Sequence, residues 1–193
     1  MGRMTDDAAS THAADSTHAD EVLAFWEVAR VRAGVMRVAA VTGPGVAGSL
    51  VPPSWSFGND PDLADALLAL VLDGTKTGTS TALAEFDLAD EALPVKGDLS
   101  IVTDGAGRPG ALIRTTRVET VPFDQVDAEF AAAEGEGDRS LASWRAEHEA
   151  HWRRVLPPLG AAFAPDMAVV TERFELLYPR PGDRGAPSAP SEA

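Results

Sequence analysis

Gly74-Thr75-Lys76-Thr77-Gly78-Thr79 places one amine, three hydroxyls and two permissive backbone positions within six residues. Lys76 is one of only two lysines in the chain, the other being Lys96. A hydroxyl becomes a nucleophile when a neighbouring group takes its proton, and an amine either accepts that proton or holds developing negative charge as a fixed cation. Thr79 is therefore a candidate nucleophile and Lys76 its candidate partner, with Gly78 between them as a position where backbone and ligand can approach closely. The plainer accounts are a solvated lysine at a helix C-terminus, where the dipole favours a cation, and an ordinary β-branched strand residue. A regular strand sends residues three apart to opposite faces, so Lys76 and Thr79 meet only if the segment is not yet regular strand or Gly78 admits a bulge.

The carboxylates with matching potential lie in Glu134-Gly135-Glu136-Gly137-Asp138, followed by Arg139. A carboxylate beside a lysine favours the charged amine, while burial works against it. Trp55 and Phe57 flank Ser56; they suit stacking on a base, and they equally suit a hydrophobic staple ahead of a helix. His148 and His151 lie three apart, with no third or fourth ligand and no H-E-x-x-H pattern, so half-buried helix histidines explain them and no metal or other cofactor is expected. Arg139, Arg145, Arg153 and Arg154 interleave with Glu147 and Glu149, which reads as a salt-bridged helix face. Gly43, Gly45 and Gly48 spell G-x-G-x-x-G, but no helix pattern follows, so this is a glycine-rich loop over 42–53.

These residues need elements to hold them. The spacing predicts a helix over 20–33 with Val22, Phe25, Trp26 and Ala29 on one stripe and Gly34 at its end. Asp60 and Pro61 mark the start of a second helix, with Leu63, Leu67, Leu70 and Val71 inward and Gly74 as the stop. A threonine-rich strand is expected over 75–83, a turn at 95–98, and a hairpin of 99–103 with 111–121 around Asp104–Pro109. Asp124 is expected to cap a short helix through Val126, Phe130 and Ala133, and Ser140 to cap another carrying Leu141, Trp144 and His148. Met167 to Leu177 completes the strands. Residues 1–19 read as a disordered arm with a near-repeat (STHAAD, STHAD), and 179–193 as a polar tail. Helices mixed with an evident hairpin argue for an α+β fold, a small β-barrel with helices packed at its ends.

With 193 residues there is one domain, over 20–178, and material for a core. No apolar run approaches the roughly 20 residues of a membrane span, and the polar N-terminus lacks a secretory core, so a cytoplasmic protein is expected. The formal charge of −14 argues against tight binding of long nucleic acid, which depends on a basic face, and fits a small, nearly neutral partner better.

The run from Trp55 to Thr79 (WSFGNDPDLADALLALVLDGTKTGT) resembles the opening of an ASCH domain, in the YhfF-like subgroup of the PUA-like superfamily. Val95-Lys96-Gly97-Asp98-Leu99, the stretch from Val118 to Phe123, and Glu134 through Leu141 with Trp144-Arg145 extend the resemblance over most of 22–177. The resemblance implies a PUA-like barrel with a cleft and a link to RNA. Some small members hydrolyse the amide of N4-acylated cytidines with a lysine, a threonine three residues on and a downstream glutamate; others are described as ribonucleases or RNA binders. Carried over, these positions are Lys76, Thr79 and Glu134, with Glu136 as the alternate glutamate. Trp55, Phe57, Gly78, Glu136 and Arg139 are then the expected substrate contacts, and a nucleoside or RNA base the expected partner. This chain is longer than the small hydrolases at both ends.

Overall fold

The structure is a computed structural model that describes residues 6–35, 51–58 and 60–180, with side chains from residue 17 onward. Residues 42–50 of the glycine-rich loop expected over 42–53, and residues 181–193 of the tail expected over 179–193, lie outside the described residues. Helix α1 runs Asp6–Arg32 and takes in all but the last residue of the stretch expected over 20–33.

The remaining elements are β1 (Ser54–Trp55), α2 (Pro61–Asp73), β2 (Gly78–Ala82), α3 (Leu83–Ala89), β3 (Leu99–Thr103), β4 (Pro109–Pro122), α4 (Ala128–Glu134), α5 (Leu141–Val155) and β5 (Ala168–Tyr178), with short 3-10 turns at Phe123–Gln125 and Pro157–Leu159. The strand order is β1-β3-β4-β5-β2. Among the described residues β1 and β2 are edges, so the barrel expected from sequence is an open five-stranded sheet with flanking helices, and the α+β class holds.

The chain forms two compact units. One takes in the described residues up to Leu68 together with Ser100–Ile113 and the segment from Leu177. There, Val22, Trp26 and Ala29 of α1 are buried as their spacing predicts, and Phe25 packs against Tyr178 at 5.6 Å. Asp60 caps α2 by accepting the N–H groups of Asp62 and Leu63. The buried stripe is Ala64, Leu67, Leu68 and Val71, whereas Leu63 is exposed, so the face is rotated by one residue from the leucine pattern. β1 runs parallel to β3, pairing Ser54 with Ile101.

The other unit comprises Ala69–Leu99 and Arg114–Leu176. β2 lies antiparallel to β5, with Thr79 opposite Glu172 and Ser80 opposite Thr171. The core gathers Ala82, Val126, Phe130, Leu156 and Val169 around Phe123, whose ring meets Trp144 at 5.3 Å and Trp152 at 5.7 Å. α3 follows β2 without a loop, because the Glu85 carboxylate accepts both the Ala82 N–H at 3.1 Å and the Trp152 indole at 3.0 Å and so fixes the corner. Asp127, not Asp124, caps α4, accepting Phe130 N–H at 2.7 Å; Asp124 is used up in the preceding 3-10 turn. Ser140 caps α5 as expected.

Candidate functional site

Gly74 stops α2 in the left-handed conformation, at φ +83°. The next residues form no strand. Lys76 donates its backbone N–H to Leu70 and Thr77 donates to Ala133 at 2.7 Å, which lays this connection along the end of α4. β2 begins only at Gly78, so strand alternation does not govern Lys76. Gly78 itself is buried, and a Cβ there would meet the Glu172 carbonyl at 3.3 Å and the Phe130 ring at 3.4 Å; its place is set by packing.

The lysine side chain turns inward and is 1% exposed. Nζ donates to Glu136 Oε1 at 2.6 Å, to Glu134 Oε2 at 3.2 Å and to the Glu134 backbone carbonyl at 3.3 Å. An ammonium has three N–H groups, and here three acceptors meet them. Glu134 is equally buried. Its Oε1 accepts from Ser80 Oγ at 2.6 Å and from the Trp144 indole at 2.8 Å, and His148 Nε2 lies 3.6 Å away. The Trp144 and His148 rings stack at 4.3 Å.

The loop that aims these carboxylates depends on Gly135. It has φ +77°, and a Cβ there would stand 2.8 Å from the Thr75 carbonyl oxygen. A side chain would push the two glutamates away from Lys76.

Burial opposes ionisation of Glu134, yet the Lys76 ammonium, His148 and Ser80 outweigh it and hold the carboxyl far below the usual range. Burial likewise opposes the charged form of His148, and the Glu134 carboxylate overcomes it, raising the imidazole above its ordinary value. Glu172 moves the other way: burial pushes its carboxyl up despite the hydrogen bond from Thr115 at 2.5 Å.

The structure therefore brings together Lys76, Glu134 and Glu136. It does not bring Thr79 into that group. Among the described residues the Thr79 hydroxyl bonds to none of the three, and the hydroxyl that touches Glu134 is Ser80, on the opposite face of β2 by strand alternation. Arg139 is exposed, at φ +62°, and its guanidinium forms no ion pair among the described residues. Trp55 and Phe57 belong to the other unit, where they meet edge to face at 4.8 Å and Phe57 is buried.

Sequence reasoning missed Ser80 as a site residue, and no local signal marks it. Trp144 and His148 carried a signal in their four-residue helical spacing, which sets both on one face, but their common partner was not visible. Among the described residues no helix is long and apolar enough to cross a membrane.

The family model of the ASCH domain matches residues 53–178. The chain is similar to the crystal structure of an ASCH domain from Lactobacillus crispatus JV V101, with 29% identity and a TM-score of 0.66 over 79% of this chain and 95% of that one. It is also similar to a crystal structure from Enterococcus faecalis V583, with 30% identity and a TM-score of 0.67 over 90% of this chain and 98% of that one. Among curated proteins no relative is matched. With the family model covering well over half of its length, from the residue before β1 to the end of β5, this chain belongs to the ASCH domain family.

Proposed function

We propose that this ASCH domain recognises a nucleoside with an acylated exocyclic amine and cleaves the amide, releasing a cytidine-type nucleoside and a carboxylic acid. The observation that carries the reading is the unbroken contact chain Ser80–Glu134–Lys76, in which a hydroxyl, a carboxylate and an ammonium are linked by hydrogen bonds and the two ionic groups are shielded from water. A hydroxyl held by a carboxylate, itself oriented by a third group, is the arrangement from which nucleophilic acyl transfer starts.

In this reading Ser80 Oγ bonds to the acyl carbon while its proton passes to Glu134 Oε1. The C–N4 bond then breaks, N4 takes a proton, and water hydrolyses the acyl ester on Ser80. Lys76 balances the charge of Glu134 throughout. Glu136, whose side chain is 24% exposed, stands between Lys76 and solvent, where it meets the ligand first. Thr79 is the hydroxyl that family resemblance favours; Ser80 is the one in contact with the acid. Incubation with N4-acetylcytidine, followed by chromatography for cytidine, tests the reading. Turnover that falls by at least about 10³-fold in Ser80→Ala is expected. Absence of turnover, or full turnover by Ser80→Ala, overturns it.

A second reading is a binding site without turnover. Saturation of Lys76 by three acceptors and the acidity of Glu134 favour it, because a carboxylate so stabilised is a weak base. Salt-insensitive binding of the nucleoside without product supports this alternative. Affinity that falls steeply with salt points instead to an RNA strand, against which the net charge of −14 argues.

A further inference from the structure

Three groups converge on a single oxygen, Glu134 Oε1: Ser80 Oγ at 2.6 Å, Trp144 Nε1 at 2.8 Å and His148 Nε2 at 3.6 Å. The indole can only donate, and the serine donates its one proton. The imidazole is different. Its Nδ1 lies 2.9 Å from the Trp144 backbone carbonyl, which is purely an acceptor, so Nδ1 carries a proton in both charge states. Nε2 is then the nitrogen that gains or loses the second proton, and it is the one aimed at Glu134. Stacking on Trp144 at an interplanar angle of 20° fixes the ring, with Trp152 on it at 5.3 Å. At 13% side-chain exposure its edge still reaches solvent. The ionic groups that face it are Glu134 at the end of α4, Glu136 on the following loop and His151 on its own helix. Lys76 occupies the far oxygen of Glu134.

We infer that His148 is the positioning residue that holds the proton for this site: the Ser80 proton passes to Glu134 Oε1 and onward to Nε2 of neutral His148. The inference rests on the hydrolytic reading above. As the Oγ–C bond forms and the Oγ–H bond breaks, the proton comes to rest on an imidazolium beside a restored carboxylate. When the C–N4 bond breaks, the same proton returns through Glu134 to N4. Water repeats the sequence on the ester, and the proton goes to the regenerated Ser80. No other reactant is needed. This division of labour answers the weakness of Glu134 as a base: the carboxylate conducts the proton, and an imidazole, the side chain suited to neutral pH, keeps it.

The experiment is a pH–rate profile with N4-acetylcytidine for the unaltered chain and for His148→Gln, with a 15N NMR titration of His148 alongside. Neutral His148 is the competent form, so the rate should rise with pH through an apparent pKa above the ordinary histidine value of about 6.5. His148→Gln should slow the reaction by about 10²–10⁴-fold and erase that limb, and added imidazole should restore part of the rate in His148→Ala. The NMR signals should show neutral His148 protonated on Nδ1, with a titration that moves down in Glu134→Gln. Should that variant fail to fold, the tautomer of the unaltered chain decides the pairing by itself. A tautomer protonated on Nε2 overturns the inference whatever the activity. A His148→Gln enzyme that keeps the limb overturns the relay and leaves the hydrolytic reading standing. A chain that never releases cytidine overturns that reading and the relay with it, even if the pairing of His148 with Glu134 is seen.

Discussion

Lys76→Met removes the ammonium beside Glu134 while keeping most of the side-chain volume. In the folded protein Glu134 is 1% exposed and its carboxylate would then rely on Ser80, Trp144 and His148 alone. Breaking one side of a buried ion pair costs about 3–5 kcal/mol, because the remaining charge stays desolvated. The contact to the partly exposed Glu136 adds little to this after screening. For a domain of this size about 1 kcal/mol shifts Tm by roughly 2–4 °C, so the variant should melt some 6–20 °C lower at pH 7, about the product of the two ranges. The sign with pH follows from linkage. In the unaltered chain the depressed Glu134 contributes stability that is present above the unfolded carboxyl value of about 4.3 and is lost as pH falls toward its folded value. In the variant the Glu134 pKa rises, so the penalty shrinks on acidification, first as His148 charges and then as the carboxyl takes up its proton. Thermal melts at pH 8, 7 and 5.5, with urea unfolding at the same values, measure this. A Tm within 2 °C of the unaltered chain at pH 7, or a gap that widens toward acid pH, refutes the buried-pair argument.

Gly135→Ala should destabilise the fold by about 1–2 kcal/mol through its positive φ alone, and by more because the new Cβ meets the Thr75 carbonyl at 2.8 Å; urea unfolding checks this. Trp144→Phe keeps the stack on His148 but withdraws the indole donor from Glu134, costing about 1–3 kcal/mol; the same melts measure it, and an unchanged Tm removes the hydrogen bond from the account. A side-by-side assay of Ser80→Ala and Thr79→Val on N4-acetylcytidine assigns the attacking hydroxyl, with the larger loss expected in Ser80→Ala; the reverse order returns the role to Thr79. The raised His148 contributes stability fully present below about pH 6.5 and lost as pH rises through its folded value. His148→Gln should therefore narrow the stability difference between pH 6 and pH 8, and equal differences would contradict the pairing with Glu134.

Local order was legible in this sequence wherever one short-range rule decided it. Asp60, Pro61 and Gly74 fixed both ends of α2, Ser140 opened α5, and the Asp104–Pro109 turn joined β3 to β4, because caps and tight turns are settled within a few residues. The family followed from motifs read in order. What failed locally failed for equally local reasons: two aspartates competed to cap α4, and the backbone bonds of Lys76 to Leu70 and Thr77 to Ala133 held the first threonines out of β2, which begins only at Gly78. The site is another matter. Spacing names Lys76, Thr79 and Glu134, but Lys76 and Glu134 lie 58 residues apart and meet only when Gly135 lets the end of α4 close against the connection before β2. Which hydroxyl joins them depends on the register of β2 against β5, where a slip of one residue would exchange the two. Paired with Ser80 opposite Thr171, the strand turns Ser80 to the acid and Thr79 away, and long-range packing of β2 between α4 and β5 sets that register.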